Sequence, residues 1–407
     1  MFSSAFGRYF DGRSSYRRSG SIKRYAHILH VTTPMAKPVT LKARHKQSLN
    51  GTCSRSIGKN LSIVLAVAFG AFSLLSRPDA IESSTQHNHD TMRMPSIGLG
   101  TFGISPAQIT GGGAIKNALA AGYRLIDCAP VYFNEKEIGD ALAEELGRSD
   151  TTLKRADLFV TSKLASPFHR KEHVEPALRK TLQDLRLDYL DLFLIHWPVA
   201  FNYVPIPEDG SRGWANEDID DSDGGNNIDP SVSARETWSA MEELVDKGLV
   251  KHIGVSNFPV ALLHELLADC RIPPLVNQVE LHPYLQQPRL VEYCKARGVH
   301  VQAYSPLGTP GYKEDGEPSV LNDPILSEMA KEKGCTVSQL CIAWALKRGT
   351  YLNAKSAFAE HQQENIVVLN NPIELDDADM ARIASLERRF RYFRPDDWWG
   401  PIGAVFD

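Results

Sequence analysis

Eight short runs rich in β-branched and aromatic residues recur along the chain, and each is followed by a stretch of helical period. The runs are SIGLGTFG (96–103), RLIDCAP (124–130), LFVTSKL (158–164), LDLFLIHWP (190–198), HIGVSNF (252–258), PLVNQVEL (274–281), HVQAYSPL (300–307) and YLNAKSAF (351–358). Between them, VEPALRKTLQDLRL sets Leu178, Leu182 and Leu185 on one helical face. ETWSAMEELVDKG does the same with Trp238, Met241 and Leu244, and Gly248 supplies a stop. Strands that alternate with helices pair in parallel, so the sheet is either open and doubly wound or closed into a barrel. No G-x-G-x-x-G turn follows any of the runs, which argues against the open dinucleotide-binding sheet. The spacing therefore predicts an α/β chain: a (β/α)8 TIM barrel over residues 89–407, with its chemistry on the loops after the strands.

Residues 1–88 stand apart from this pattern. The first 60 residues hold twelve Lys or Arg and one acid, Asp11, and they are Ser-rich with no apolar period. Next comes an apolar segment, 61–75, inside a seventeen-residue uncharged stretch bounded by Lys59 and Arg77. As a helix that stretch would reach about 25 Å, against roughly 30 Å for a bilayer core. A basic, acid-poor leader resembles a transit peptide for a mitochondrion or plastid. The apolar run reads equally as a membrane anchor with its basic flank on the cytoplasmic side. Location thus stays between an organelle, a membrane surface and the cytosol.

The chain's net charge of −4 gives no case for nucleic acid. Its six cysteines, at 53, 128, 270, 294, 335 and 341, form no C-x-x-C pair and none has metal-ligand spacing with histidine, so no metal site is expected. Five of them lie in the barrel region, and no glycosylation sequon follows residue 88. Both facts fit a reducing compartment for the folded part. Two segments break the strand–helix alternation. Residues 203–231 form a long polar loop whose acidic stretch 217–223 lacks the glutamate of a calcium loop; it is a candidate lid. The tail 391–407 carries Trp398 and Trp399 without helical period and is expected to pack over the active-site face.

Polar groups end several of the strand-like runs. Asp127 ends the second, with Tyr132 in the loop after it; Lys163 ends the third and His196 the fourth. Taken singly, each has an ordinary structural explanation. A barrel, however, brings the ends of strands two, three and four side by side, so the four groups converge. A phenol has an unperturbed pKa of about 10, and a nearby ammonium favours its anion. Lys163 supplies that charge, Asp127 balances and orients the lysine, and His196 polarises a carbonyl oxygen. The cluster suits hydride addition to a carbonyl, with Tyr132 as proton donor.

The stretches MPSIGLGTF, GYRLIDCAPVY, VTSKL, LIHWP, IGVSNF, NQVELHP, AYSPLG and AKS…EN occur in that order from residue 94 to about 370. On these motifs the sequence resembles the aldo-keto reductase family, and its loops resemble the aldose and xylose reductase-like members. The resemblance implies a (β/α)8 barrel that reduces an aldehyde or aldose to the alcohol with NADPH, an enzyme of the alcohol dehydrogenase (NADP+) or aldose reductase type. It implies Asp127, Tyr132, Lys163 and His196 as the catalytic tetrad, and Phe102, Trp197 and His196 against the substrate. It further implies Ser256, Asn257 and Gln278 on the nicotinamide carboxamide and Tyr304 stacked on the ring. Thr101, Ser305 and Leu307 would lie along the rest of the cofactor, Lys355 and Ser356 at the 2′-phosphate, and Glu364 and Asn365 near the adenine.

Departures from the family pattern leave some choices open. This chain reads Asn353-Ala354 where relatives often have Ile-Pro, and His361 where an arginine commonly clamps the adenosine end. Histidine offers no bidentate fork, so use of NADH beside NADPH is expected. Phe102 stands where many relatives carry a tryptophan. A different class of function remains as the alternative: a cofactor-binding auxiliary or sensor subunit with little turnover. A non-redox phosphate-binding barrel is a third. The sequence assigns no oligomeric state.

Overall fold

The computed structural model describes residues 94–207, 227–395 and 399. The leader 1–88 with its apolar run, most of the candidate lid including 217–223, and Trp398 lie outside the described residues. No helix among the described residues is long and apolar enough to cross a membrane.

The strands are β1 (Ile97–Gly100), β2 (Leu125–Asp127), β3 (Phe159–Leu164), β4 (Leu190–Ile195), β5 (Val250–Ser256), β6 (Val276–Glu280), β7 (His300–Tyr304) and β8 (Tyr351–Lys355). They close in sequence order into one barrel, and every pairing is parallel. The seam joins β1 to β8, with Gly100 opposite Lys355. Around the barrel run α1 (Pro106–Thr110), α2 (Ala114–Ala121), α3 (Glu135–Gly147), α4 (Lys171–Leu185), α5 (Ala234–Asp246), α6 (Val260–Asp269), α7 (Pro288–Ala296), α8 (Pro324–Lys333), α9 (Val337–Lys347), α10 (Ala359–Ile366) and α11 (Asp377–Ala384). All eight expected strands are present, each within a few residues of its predicted run.

Amphipathic period explains the outer layer. Leu178, Leu182 and Leu185 of α4 and Trp238, Met241 and Leu244 of α5 are buried against the outer face of the sheet. Burying each of these large side chains contributes about 2 kcal/mol. Ser233 caps α5 by accepting the Glu236 N–H, and Gly248 follows the helix at φ +68°.

Strand period explains the barrel interior. Alternate residues point to opposite faces, so one row of each strand faces inward. At the N-terminal end that row is apolar: Leu125, Phe159, Leu192, Leu194 and Val276 form one cluster, joined by Met94 and Leu275. Gly98 also belongs to this inner layer, where a Cβ would collide with Leu125 and Asn353. Two residues further along the same rows the character changes. Asp127 follows Leu125, His196 follows Leu194 and Gln278 follows Val276. The bottom of the barrel is thus a plug of aliphatic side chains, and the top is a ring of polar ones.

Candidate active site

The polar ring meets at one point. Lys163 is about as buried as a lysine can be, at 1% exposure, and its Nζ makes three contacts. It donates to Asp127 Oδ2 at 2.8 Å, to the Cys128 carbonyl at 3.0 Å and to the Tyr132 hydroxyl at 3.1 Å. Burial pushes the lysine's pKa down, but the Asp127 charge and the Tyr132 hydroxyl outweigh it and hold the net value above the ordinary one. The ammonium therefore stays charged. Tyr132 arrives on a single 3-10 turn, Pro130–Tyr132, directly after β2. His196, buried at the end of β4, places its ring 6.0 Å from the Tyr132 ring, steeply inclined to it. All four residues expected to converge do so.

A second polar group flanks the first. Ser256 Oγ donates to the Gln278 carbonyl, and Asn257 Nδ2 donates to both Ser256 Oγ and the His196 carbonyl. Asn257 sits at φ +63°, a left-handed conformation that asparagine tolerates better than most residues. The Tyr304 hydroxyl donates to Asn257 Oδ1 at 2.9 Å, and burial drives its pKa well above the ordinary phenol value. Only Tyr132, of these two tyrosines, has an ammonium beside it. Gln278 turns its amide nitrogen to Asp127 Oδ1 at 2.8 Å, which joins the two groups.

The mouth is walled by aromatic rings. Phe102 lies 5.1 Å from Tyr132 and stacks on Tyr312 at 5.0 Å between ring centroids. Tyr312 passes over Gly103, where a Cβ would collide with its hydroxyl and where φ is +68°. Trp197 packs edge-on against Trp399, which also meets Phe201; all three are buried together. The base of the long loop is closed by paired backbone at Phe201 and Ile228. Phe393 touches both Phe102 and Tyr304, each at 5.7 Å. It is held by Glu280, a fully buried carboxylate that accepts the backbone N–H groups of Tyr392 and Phe393 and faces His282 Nε2 at 2.9 Å.

Lys355 ends β8, the strand paired with β1, beside the Phe102 and Tyr312 end of this wall. No carboxylate pairs with it among the described residues, and desolvation lowers its pKa. Its Nζ rests 5.7 Å from the Tyr312 ring centroid. The Ser356 hydroxyl accepts the Phe358 N–H just before α10 begins. Ser305, at φ +52°, and Leu307 follow β7 on the loop that carries Tyr312, where Leu307 packs against the core.

Some expected cofactor contacts are engaged elsewhere. Thr101 is fully buried and gives its hydroxyl to the Asp127 carbonyl at 2.7 Å, so it fixes the β1–β2 edge. Glu364 Oε1 accepts the Thr336 hydroxyl at the start of α9, and Asn365 is buried against the Tyr123 hydroxyl. Phe393, Tyr312 and Glu280 are site residues the strand reading missed. For Glu280 a signal existed: an acid on the inward row of β6, two residues after Gln278, must find partners when buried. Also missed were Gln302 and Asn353, inward residues of β7 and β8. Gln278 Nε2 donates to Gln302 Oε1 at 2.8 Å, and Gln302 Nε2 donates to Asn353 Oδ1 at 3.2 Å. Among the described residues, no group of three His, Cys, Asp or Glu could hold a metal ion, and all the cysteines are free.

The model of the aldo/keto reductase family matches residues 96–388. The chain belongs to the aldo/keto reductase family. It is 43% identical over 316 residues to an aldo/keto reductase of Synechocystis, covering 76% of this chain and 90% of that one. It is 41% identical to human aldo-keto reductase family 1 member A1, covering 75% and 90%. Among solved structures, the aldose reductase of Giardia lamblia superposes with a TM-score of 0.67 at 37% identity, covering 75% of this chain and 96% of that one. The aldose reductase of Schistosoma japonicum gives 0.64 at 37%, covering 75% and 92%. This aldo/keto reductase is a carbonyl-reducing oxidoreductase and an aldose reductase-like member of the family.

Proposed function

We propose that this reductase converts an aldehyde or the open-chain form of an aldose to the alcohol with NADPH, and that Tyr132 gives the proton. The observation that carries the reading is the triple contact of Lys163 with Asp127, Tyr132 and the Cys128 carbonyl. The residues present fit the cofactor. Lys355 is a cation without a paired acid among the described residues, suited to a phosphate. Gln278 Oε1 makes no hydrogen bond among them, suited to a carboxamide N–H. The Tyr304 ring ends β7 beside Asn257, suited to a flat heterocycle.

When bound, the nicotinamide supplies hydride to the carbonyl carbon. The protein's share is the oxygen. His196 and Tyr132 converge on one point, where a carbonyl oxygen meets a hydrogen-bond donor on each side. Negative charge builds on that oxygen as the carbon is reduced, and the Tyr132 hydroxyl proton moves to it. Lys163 stabilises the phenolate that remains, and solvent returns the proton. Asp127 holds the lysine and balances its buried charge, so the phenol faces a fixed positive field. The aromatic wall of Phe102, Trp197 and Phe393 supports the apolar part of a substrate and keeps water from the reacting atoms.

Replacement of Tyr132 by Phe tests the reading. Aldehyde-dependent oxidation of NADPH should fall by about 10³-fold or more, while quenching of protein fluorescence by NADPH is kept. Turnover within tenfold of the parent would sink the proposal. A panel of xylose, glucose, glyceraldehyde and an aromatic aldehyde ranks substrates. Comparing kcat/KM with NADPH and NADH tests the cofactor, and a preference for NADH above about tenfold would contradict the role given to Lys355.

A further inference from the structure

Three amide side chains run in file through the barrel interior from the catalytic carboxylate. Gln278, Gln302 and Asn353 are all buried, on β6, β7 and β8. Backbone register sets Gln278 opposite Gln302 and Tyr304 opposite Asn353. The file has one sense. Asp127, ionised beside the Lys163 ammonium, can only accept, so the Gln278 amide must turn its nitrogen to it. The second N–H of that nitrogen donates to Gln302 Oε1, and a Gln302 N–H donates in turn to Asn353 Oδ1. The file ends on Asn353 Nδ2, which is buried without a partner among the described residues. Burying such a group costs roughly 1–3 kcal/mol, which an aliphatic pair at 302 and 353 would avoid. Gly98 stands bare of a side chain beside Asn353 and so leaves it room. A costly arrangement that a plain aliphatic layer would replace calls for a function.

We infer that Gln302 is a positioning residue: by accepting a hydrogen bond from the second amide N–H of Gln278 it locks the amide plane and presents Gln278 Oε1 toward the carboxamide N–H2 of the bound nicotinamide. One hydrogen bond to Asp127 leaves an amide free to pivot about that oxygen; two bonds fix it. Gln302 touches neither cofactor nor substrate and acts only through Gln278. The inference rests on the functional reading above, because it takes the nicotinamide to lie beside Gln278.

The test compares binding of NADP+ with that of its 3-acetylpyridine analogue, in which a methyl group replaces the carboxamide NH2. Dissociation constants come from fluorescence quenching of the full chain, with no turnover required. The parent should hold NADP+ about fivefold more tightly than the analogue, the worth of one hydrogen bond. Gln302→Met should bring that ratio to within about twofold of unity while leaving the analogue's own affinity nearly unchanged. Gln302→Glu, whose protonated acid can accept from Gln278 and donate to Asn353, should restore the parent ratio. If Gln302→Met does not fold, Gln302→Ser, too short to reach Gln278, carries the same expectation. A ratio unchanged in Gln302→Met or Gln302→Ser overturns the inference, because a merely structural role would weaken both ligands alike. Equal binding of the two nucleotides by the parent overturns it as well. Failure of the parent to bind either nucleotide sinks the functional reading instead.

Discussion

The ammonium of Lys163 lies 3.1 Å from the hydroxyl of Tyr132, and no bulk water separates them, since the lysine is 1% exposed. The lysine thus acts on the phenol through a desolvated path. Lys163→Met should lower kcat by about 10²–10⁴-fold at saturating cofactor. It should also destabilise the fold by roughly 3–5 kcal/mol, because Asp127 would be left buried without its cation. Steady-state kinetics normalised to the folded fraction, with a urea midpoint alongside, check both. A kcat within tenfold of the parent would mean that Tyr132 works without the lysine.

Glu280 reaches across 113 residues of sequence to hold the Phe393 N–H at 3.1 Å, and it holds the Tyr392 N–H at 2.8 Å. Removing the carboxylate strands two backbone donors and His282 inside the protein. Glu280→Ala should therefore cost a few kcal/mol and free Phe393 from the mouth. KM for an aldehyde should rise several-fold with a smaller change in kcat. A lowered melting temperature with unaltered KM would show that the tail takes no part in the pocket.

Glu135, behind the Lys163 strand, offers a pH test that is read on stability instead of turnover. Burial pushes its carboxyl up to about 8, with the Ser162 hydroxyl at 2.5 Å opposing only part of that shift. The folded protein thus keeps a proton that the unfolded chain loses near pH 4.5. Stability from this group is whole below pH 4.5 and drains away as pH rises toward about 8. Glu135→Gln removes the titration at nearly constant shape. Its melting temperature relative to the parent should climb between pH 5 and pH 8, by an amount worth on the order of a few kcal/mol. A difference that stays flat over that range would show that Glu135 ionises normally.

Gly103 and Tyr312 form a fitted pair. Alanine at 103 would be strained at φ +68° and would drive its methyl group into the tyrosine hydroxyl. Gly103→Ala should destabilise by about 2 kcal/mol or more and weaken NADPH binding, since Tyr312 also lies under Lys355. Adding Tyr312→Ala should recover the steric part but not the backbone part. Strict additivity in that cycle would mean that the two residues do not meet.

What the sequence revealed is what period encodes. Leu125 and Asp127, Leu194 and His196, and Val276 and Gln278 are spaced by two, so parity alone sends the polar member inward at the C-terminal end. Eight strands yield the barrel, and these three bring their polar ends into one corner of it. Parity says nothing of which loop folds over the mouth. Tyr312 and Phe393 come from segments without period and are fixed by contacts with Gly103 and Glu280 that only the closed barrel creates. Gln302 was hidden differently: within an apolar run a single amide reads as noise until its partner is seen, and Asn353 stood out only as a departure beside the Lys355-Ser356 motif. Near Glu364 the sequence does not show a local partner, the Thr336 hydroxyl at the start of α9, which donates to its carboxylate.

Lys355 provides the sharpest separation of cofactor choice from catalysis. It ends β8 opposite Gly100, which in turn lies opposite Asp127, so it sits at the same end of the barrel as the Lys163 contacts but on another strand, and no acid pairs with it among the described residues. If it meets a 2′-phosphate, Lys355→Met should weaken NADPH about 10–100-fold, the worth of a charge-assisted contact. NADH lacks that phosphate, so its affinity should stay within about twofold. Added salt should weaken NADPH binding to the parent more than to the variant, because screening acts on the charge that the substitution removes. Equal losses for the two nucleotides would assign Lys355 to the pyrophosphate or to Tyr312 and would remove it as a cause of any choice between NADPH and NADH.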